Sequence, residues 1–160
     1  MGQEYEVSSI VIHNRPDCCE YQNGYALVEL YNDNGEVMHL YSLGDTTGVA
    51  NHTFDASDVP PTIPVKSIRI QQDYPAKYAT AGTSLAFSEV QVFDASGANV
   101  ALLQGNTVLQ SSDYPSGSSG SYSYGPADYA VDGDLYTFNH VDVTNNTVCA
   151  REDTNLLSVV

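Results

Sequence analysis

The sequence of 160 residues contains no tryptophan and very few basic residues. Five Lys and Arg stand against 20 Asp and Glu, which gives a formal net charge of -15. Nucleic acid and anionic membrane surfaces are met by clustered Lys and Arg, so this composition argues against both as partners. A large net charge also keeps a protein in solution, and this plain explanation of the acidity requires no ligand.

Cysteine and long apolar runs are scarce as well. The three cysteines are the neighbours Cys18 and Cys19 and the single Cys149, and without a CxxC spacing they do not predict a zinc site. An odd cysteine outside the cell is either free or joined to another chain. No run of eighteen apolar residues occurs, so membrane insertion is not predicted. The first residues do not form a signal peptide, so we expect any secretion signal on a longer precursor.

Two sequons, at Asn51 and Asn145, are glycan acceptors if the chain is secreted. Together with the acidic composition they favour an extracellular location.

Short runs of alternating apolar residues, separated by Gly, Ser, Asn and Asp, predict an all-β fold. The most definite feature is a hairpin of strands 25–31 and 36–41 around the turn Asn32-Asp33-Asn34-Gly35. Segment 44–64 is predicted to be a polar connection and segment 111–126 a surface loop. The remaining predicted strands are 7–14, 65–71, 85–93, 107–110 and 156–160, the last with nothing after it to close it.

Three short motifs resemble one known family. Residues 12–19 read IHNRPDCC, residues 88–93 read SEVQVF and residues 130–134 read AVDGD. They resemble elements of the F-type lectins and the related discoidin-like galactose-binding modules, and the resemblance covers most of the chain. It implies a jelly-roll β-sandwich that binds glycans and is stabilised by Ca²⁺.

The order of these motifs differs from that of a family domain. Residues 1–97 resemble the closing half of the sandwich and residues 98–160 the opening half, as in a circular permutation. Three arrangements are consistent with this order: one period of a tandem array, a permuted domain that folds alone, or half-domains completed by neighbouring copies of the same module.

The resemblance implies a sugar site around Arg15, oriented by Asp17, with Cys18 and Cys19 bonded to each other as an apolar platform. Gln22 stands where the family has a second basic residue, which weakens the assignment to fucose. His140 is the candidate histidine, although its spacing from Arg15 across a joined repeat exceeds that of the family.

Each of these residues also has an interpretation without a ligand. Arg15 and Asp17 can form a structural ion pair, His140 can be a loop histidine, and Cys18 and Cys19 can be free thiols in a reducing compartment. The tyrosines of the Ser- and Gly-rich segment can stack on sugars or subunits, or they can pack on their own module; these are Tyr114, Tyr122, Tyr124 and Tyr129.

A calcium site is predicted from the turn Asp132-Gly133-Asp134 and the Thr137 hydroxyl, because Ca²⁺ takes hard oxygen ligands. The resemblance adds Glu89 as the distant ligand. Glu89 also shares strand parity with Leu85 and Phe87, and a carboxylate on an apolar face requires a cation or hydrogen bonds. The alternative is an ordinary turn and an edge residue.

Glycosidase and serine-hydrolase chemistry have little support, since no placed pair of carboxylates and no GxSxG motif is evident. We therefore expect a non-catalytic, extracellular carbohydrate-binding module. The alternative is a structural repeat of an extracellular fibre or adhesin that keeps the lectin fold without a sugar pocket.

Overall fold

The computed structural model describes residues 4–55, 64–72, 85–103, 106–111 and 116–141, together with the backbone of 156–159. These ranges contain β-strands and three short 3₁₀ helices. The strands are β1 Tyr5–Asn14, β2 Leu27–Tyr31, β3 Val37–Ser42, β4 Asn51–Phe54, β5 Pro64–Val65, β6 Ser67–Gln71, β7 Phe87–Asp94, β8 Val108–Gln110, β9 Gly117–Ser119, β10 Tyr122–Gly125, β11 Thr137–Asn139 and β12 Leu156–Val159. The helices are Glu20–Asn23, Val100–Leu102 and Ala127–Ala130.

Three sheets make up an all-β, sandwich-like fold. In the first, β1 pairs antiparallel with β4, β5 and β7. The second is antiparallel with strand order β3-β2-β6-β12-β8. In the third, β10 pairs antiparallel with β9 and parallel with β11. No helix among the described residues is long and apolar enough to cross a membrane.

The inner faces of the first two sheets share one hydrophobic core. Ile10 and Ile12 of β1 cluster with Val28 and Leu30 of β2, and all four are fully buried. Alternate residues of a strand point to the same face, so the period-two pattern of these strands predicts which side chains enter the core.

The hairpin of β2 and β3 confirms the most definite sequence prediction. Asn32 closes its turn by accepting the backbone N–H groups of Asn34 and Glu36 at its side-chain oxygen. Gly35 adopts φ 75°, a left-handed conformation that glycine tolerates without steric penalty.

Strand β7 is buried on both faces in its first half. Val90 faces the core, while Phe87 and Glu89 have the opposite parity, and all three are fully buried. The second face is covered by β11 and the helix Ala127–Ala130. Glu89 therefore lies inside the protein, although β1 is the strand with which β7 pairs in the part of the chain that the structure describes.

Two predicted loops contain strands. Segment 44–64 includes β4, which adds to the edge of β1, and segment 111–126 includes the hairpin of β9 and β10. The composition of the second segment is poor in β-branched residues, and its strands form because they pair with each other and with β11.

The last predicted strand forms in an unexpected place. β12 pairs with β6 on one side and with β8 on the other, so the strand is closed on both sides. Strands from residues 1–97 and from residues 98–160 thus share the five-stranded sheet.

Candidate functional site

A buried amide network fixes the chain that follows β1. The Asn23 amide nitrogen donates to Asn14 Oδ1 and to the Ala86 carbonyl, both at 2.7 Å, and Asn23 Oδ1 accepts from the Ala86 N–H at 2.9 Å. Asn14 and Asn23 are buried, and such polar groups are stable only when they are hydrogen-bonded. Segment 15–22 is therefore anchored to the end of β1 and to the start of β7.

Arg15 and Asp17 form a forked ion pair in this segment. Nε donates to Oδ1 at 2.8 Å and Nη2 donates to Oδ2 at 2.9 Å, the two-point geometry that favours a guanidinium over an ammonium. Nη1 donates to Gln22 Oε1 at 3.0 Å. The side chains of Arg15 and Asp17 are only 9% and 7% exposed. Three of the residues predicted for a sugar site thus form one cluster.

The charge of Asp17 is protected within this cluster. Burial disfavours the ionised carboxylate, but the hydrogen bond and the charge of Arg15 favour it, as do hydrogen bonds from the Ser119 side chain and the Cys18 N–H. The pKa of Asp17 is consequently held below its ordinary value. Asp17 therefore stays ionised at neutral pH.

The guanidinium of Arg15 lies over the ring of Phe138, with its central carbon 4.6 Å from the ring centroid. This is a cation–π contact, and Phe138 is fully buried beneath it. Asn139 holds β11 in place, since its Oδ1 accepts from the Phe87 N–H at 2.8 Å and its Nδ2 donates to Gln110 Oε1 at 3.1 Å. The position of the Phe138 ring under Arg15 is therefore set by β7 and β8.

His140 belongs to the same cluster. Its ring meets Phe138 and Tyr124 edge-on, at centroid distances of 6.3 Å and 5.9 Å. The structure therefore places His140 one ring away from Arg15, which the sequence spacing alone did not predict.

Cys18 and Cys19 form a disulfide between sequence neighbours, as the resemblance implied. Cys19 has φ 64° and directly precedes the helix Glu20–Asn23. Such a conformation is uncommon for a residue other than glycine. The disulfide lies beside the ion pair, because the Cys18 N–H donates to Asp17 Oδ1 at 2.9 Å.

Glu89 is the centre of a second cluster. Its Oε2 accepts from the Gly133 N–H at 3.1 Å, whereas its buried Oε1 has no hydrogen-bond partner among the described residues. Burial disfavours the charged form, and the negative charges of Asp132 and Asp134 add to this effect. The pKa of Glu89 is raised to about 7.

The turn opposite Glu89 is held by its own hydrogen bonds. Asp132 Oδ1 accepts from the Asp134 N–H and Asp132 Oδ2 accepts from the Thr137 hydroxyl, both at 2.8 Å, while Asp134 Oδ1 accepts from the Tyr136 N–H at 2.9 Å. Gly133 has φ 80°, which permits the tight turn. The four residues predicted as calcium ligands therefore lie together.

Within the described ranges, no group of three or more His, Cys, Asp and Glu side chains is arranged to hold a metal ion. The donor chemistry nevertheless fits Ca²⁺, since the cluster offers carboxylate, hydroxyl and carbonyl oxygens. The unpaired Glu89 Oε1 is the atom that a cation satisfies best, because a buried carboxylate without a partner is costly.

The other predicted residues are separate from both clusters. Asn51 is an exposed residue of β4, paired with His13 of β1. Asn145, Cys149 and Tyr114 lie outside the described residues. Glycosylation at either sequon stays a prediction.

Phe138 and Ser119 are the contributors that the sequence interpretation missed. Both lie on the three-stranded sheet, more than one hundred residues from Arg15 along the chain. The available signal was the alternation of ring-bearing residues from position 136 to position 140, which is typical of one strand face.

Comparison with protein-family models, with curated proteins and with solved structures finds no match to this chain.

Proposed function

We propose that this chain is a non-catalytic carbohydrate-binding module of an extracellular protein, with Arg15 at its sugar site. The observation that carries the proposal is the Arg15–Asp17 fork, placed on the Phe138 ring and beside the Cys18–Cys19 disulfide. A cation held in a fixed orientation beside apolar surfaces matches a sugar, which presents both hydroxyl groups and C–H faces.

The remaining donors of Arg15 define how such a ligand is held. A guanidinium has five N–H donors, and three are engaged by Asp17 and Gln22. Within the part of the chain that the structure describes, two donors therefore remain for a pair of sugar hydroxyl groups. Gln22 supplies an amide where a second cation is absent, so the proposed ligand is a neutral sugar.

We propose Ca²⁺ as the ion of the second cluster. Glu89, Asp132, Asp134 and Thr137 are the residues that would hold it, with Glu89 as the buried anchor. The two positive charges of the ion would offset most of the charge of three carboxylates and fix the turn 132–137, which leads directly into β11 and Phe138.

The extracellular location and the jelly-roll topology in permuted order belong to the same proposal. A disulfide persists in an oxidising compartment, and Asn51 is exposed as a glycan acceptor must be. The permuted order is supported by the pairing of β12 with β6 and β8. An intact mass of the native protein equal to one period would exclude a tandem array.

Glycan-array binding of the whole chain tests the sugar site. We expect Arg15→Ala to abolish the signal and Arg15→Lys, which keeps the charge but loses the fork, to weaken it strongly. Arg69→Ala is the matched control, because Arg69 lies near Glu29 of the five-stranded sheet, 3.9 Å from its carboxylate. Equal binding by folded Arg15→Ala and wild type would disprove the assignment.

A second candidate function is a structural repeat of a fibre or adhesin. It is favoured by the low exposure of Arg15 and Asp17, which is also what a purely structural ion pair requires. Absence of any array signal from the folded wild type, together with self-association of the chain in sedimentation, would favour this second function.

A further inference from the structure

A row of aromatic rings extends outward from the Arg15 cluster. Residues two apart on a strand share a face, so Tyr122 and Tyr124 of β10 lie on the same side of the three-stranded sheet. The parallel register pairs Tyr124 with Phe138 and brings Tyr136 next to Tyr122. The row consists of two ring pairs: Tyr124 lies 5.6 Å from Phe138 and Tyr122 lies 5.7 Å from Tyr136, centroid to centroid.

Exposure increases along this row. Phe138 is fully buried under Arg15, Tyr122 and Tyr124 are half-buried, and Tyr136 is 62% exposed. The row therefore begins at the ion pair and ends in solvent.

The open end has the form of a stacking platform. The rings of Tyr122 and Tyr136 are close to parallel, with an interplanar angle of 17°. A tyrosine that served only the core would be largely buried, whereas Tyr136 contacts another ring and stays open to solvent. Aromatic rings of this kind offer an apolar face with a polar tip, which matches the C–H face and the hydroxyl edge of a pyranose.

The charge around the platform limits the chemistry of its ligand. Residues 116–141 contain three aspartates and no Lys or Arg. The aspartates of this range would repel phosphorylated, sulfated and carboxylated ligands. A neutral sugar is compatible, since it carries no charge for these carboxylates to repel.

We propose that Tyr122 and Tyr136 form a second subsite, which stacks on a neutral sugar residue further along a glycan whose terminal residue is held at Arg15. This inference rests on the proposed carbohydrate-binding function. It assigns the module to oligosaccharides and not to single sugars, because the register places the Tyr124–Phe138 and Tyr122–Tyr136 pairs in successive positions on one face of the sheet.

Titration calorimetry with oligosaccharides of one to four pyranose residues tests the proposal, all sharing the terminal sugar that gives the strongest array signal. In wild type the affinity rises with length. In Tyr136→Ala the ratio of tetrasaccharide to monosaccharide affinity falls about three- to tenfold, the range expected for one stacking contact. Tyr136→Phe keeps the ring and the ratio. Leu135→Ala is the matched control, since Leu135 is an exposed apolar neighbour of Tyr136.

The outcomes separate the two proposals. If wild type binds and Arg15→Ala does not, but Tyr136→Ala keeps the wild-type ratio, the second subsite is wrong while the sugar site stands. If wild type binds none of the four lengths, both are wrong. A fall in the ratio in Leu135→Ala equal to that in Tyr136→Ala would also overturn the subsite, because the effect would then not belong to the ring.

Discussion

Glu89 gives the most quantitative prediction, because it is a fully buried carboxyl with one oxygen that has no hydrogen-bond partner among the described residues. Its pKa rises from an ordinary value of 4.5 to about 7 in the folded chain. A carboxyl whose pKa is raised by folding binds its proton more tightly in the folded state. Its contribution to stability is therefore fully present below about pH 4.5 and is lost as the pH rises through 7.

The magnitude follows from the size of the shift. Each pKa unit corresponds to about 1.4 kcal/mol, so the free energy of unfolding in EDTA falls by about 3 kcal/mol between pH 4.5 and pH 8 through Glu89 alone. Asp17 and Asp94 have lowered pKa values, so they titrate below this range. His52, whose pKa is lowered by burial, contributes with the opposite sign within the range, so the difference between wild type and Glu89→Gln isolates the effect of Glu89.

Urea denaturation at several pH values measures this difference. We expect Glu89→Gln to lack the loss of stability in EDTA, because a neutral amide has no proton to release. Glu29→Gln is the matched control, since both Glu29 oxygens accept hydrogen bonds, from Gln71 and Tyr31. Parallel pH profiles of wild type and Glu89→Gln would refute the reasoning.

Added Ca²⁺ is expected to reverse the effect. A ligand at one hundred times its dissociation constant stabilises the folded state by about 2.7 kcal/mol, so the Tm of wild type rises with Ca²⁺ concentration at pH 8. Glu89→Gln shows a much smaller rise. Equal Tm values for wild type with Ca²⁺ and with EDTA would disprove the calcium site while leaving the proton linkage intact.

Three further predictions concern the scaffold of the site. Asn23→Ala leaves the Ala86 backbone unpaired and lowers the free energy of unfolding by about 3 kcal/mol in urea, whereas the exposed Asn34→Ala changes it by no more than about 0.5 kcal/mol. Reduction of Cys18–Cys19 weakens array binding with little change in Tm, because a bond between neighbours restricts the unfolded chain very little; a large fall in Tm would contradict this. Burial lowers the pKa of His52, so the protein loses stability as the pH falls below 6.5, the ordinary pKa of histidine. Thermal melts from pH 7 to pH 5 measure this loss, and we expect His52→Gln to remove it. An equal fall of Tm with pH in His52→Gln and wild type would count against this prediction.

The strands that were predicted correctly carry their own signal. β2 and β3 are short runs rich in apolar residues on either side of a turn that contains Gly35, so local chemistry is sufficient to specify the hairpin. β9 and β10 have no such signal, since Ser and Gly fit a strand only when a neighbouring strand is present. The prediction of a surface loop over segment 111–126 was wrong because these strands depend on tertiary contacts.

The contacts of the candidate site also divide into those that a local motif predicts and those that depend on distant strands. The fork between Arg15 and Asp17 joins residues two apart, and the motif was sufficient to predict it. The contact of Arg15 with Phe138 joins the segment after β1 to β11, and its existence depends on the register of β11 against β10 and on the Asn139 bond to Phe87. No local pattern contains that information.

Access to Arg15 is the physical quantity that separates the two candidate functions. The hairpin of β9 and β10 covers the ion pair, because the Ser119 side chain is hydrogen-bonded to Asp17. The hairpin itself is closely packed: Gly117 lies opposite Tyr124, and a Cβ at Gly117 would lie 2.5 Å from the Tyr124 hydroxyl. A sugar that reaches the two remaining guanidinium donors must enter beside this hairpin or displace Ser119. A scaffold needs no such entry, and for it the same hairpin is simply the cover that keeps a buried ion pair dry. The hydrogen bond from Ser119 stabilises the Arg15–Asp17 pair, but it also opposes displacement of the hairpin. If a sugar must displace the hairpin to reach Arg15, Ser119→Ala strengthens glycan binding. If the ion pair is purely structural, Ser119→Ala only lowers the stability of the fold.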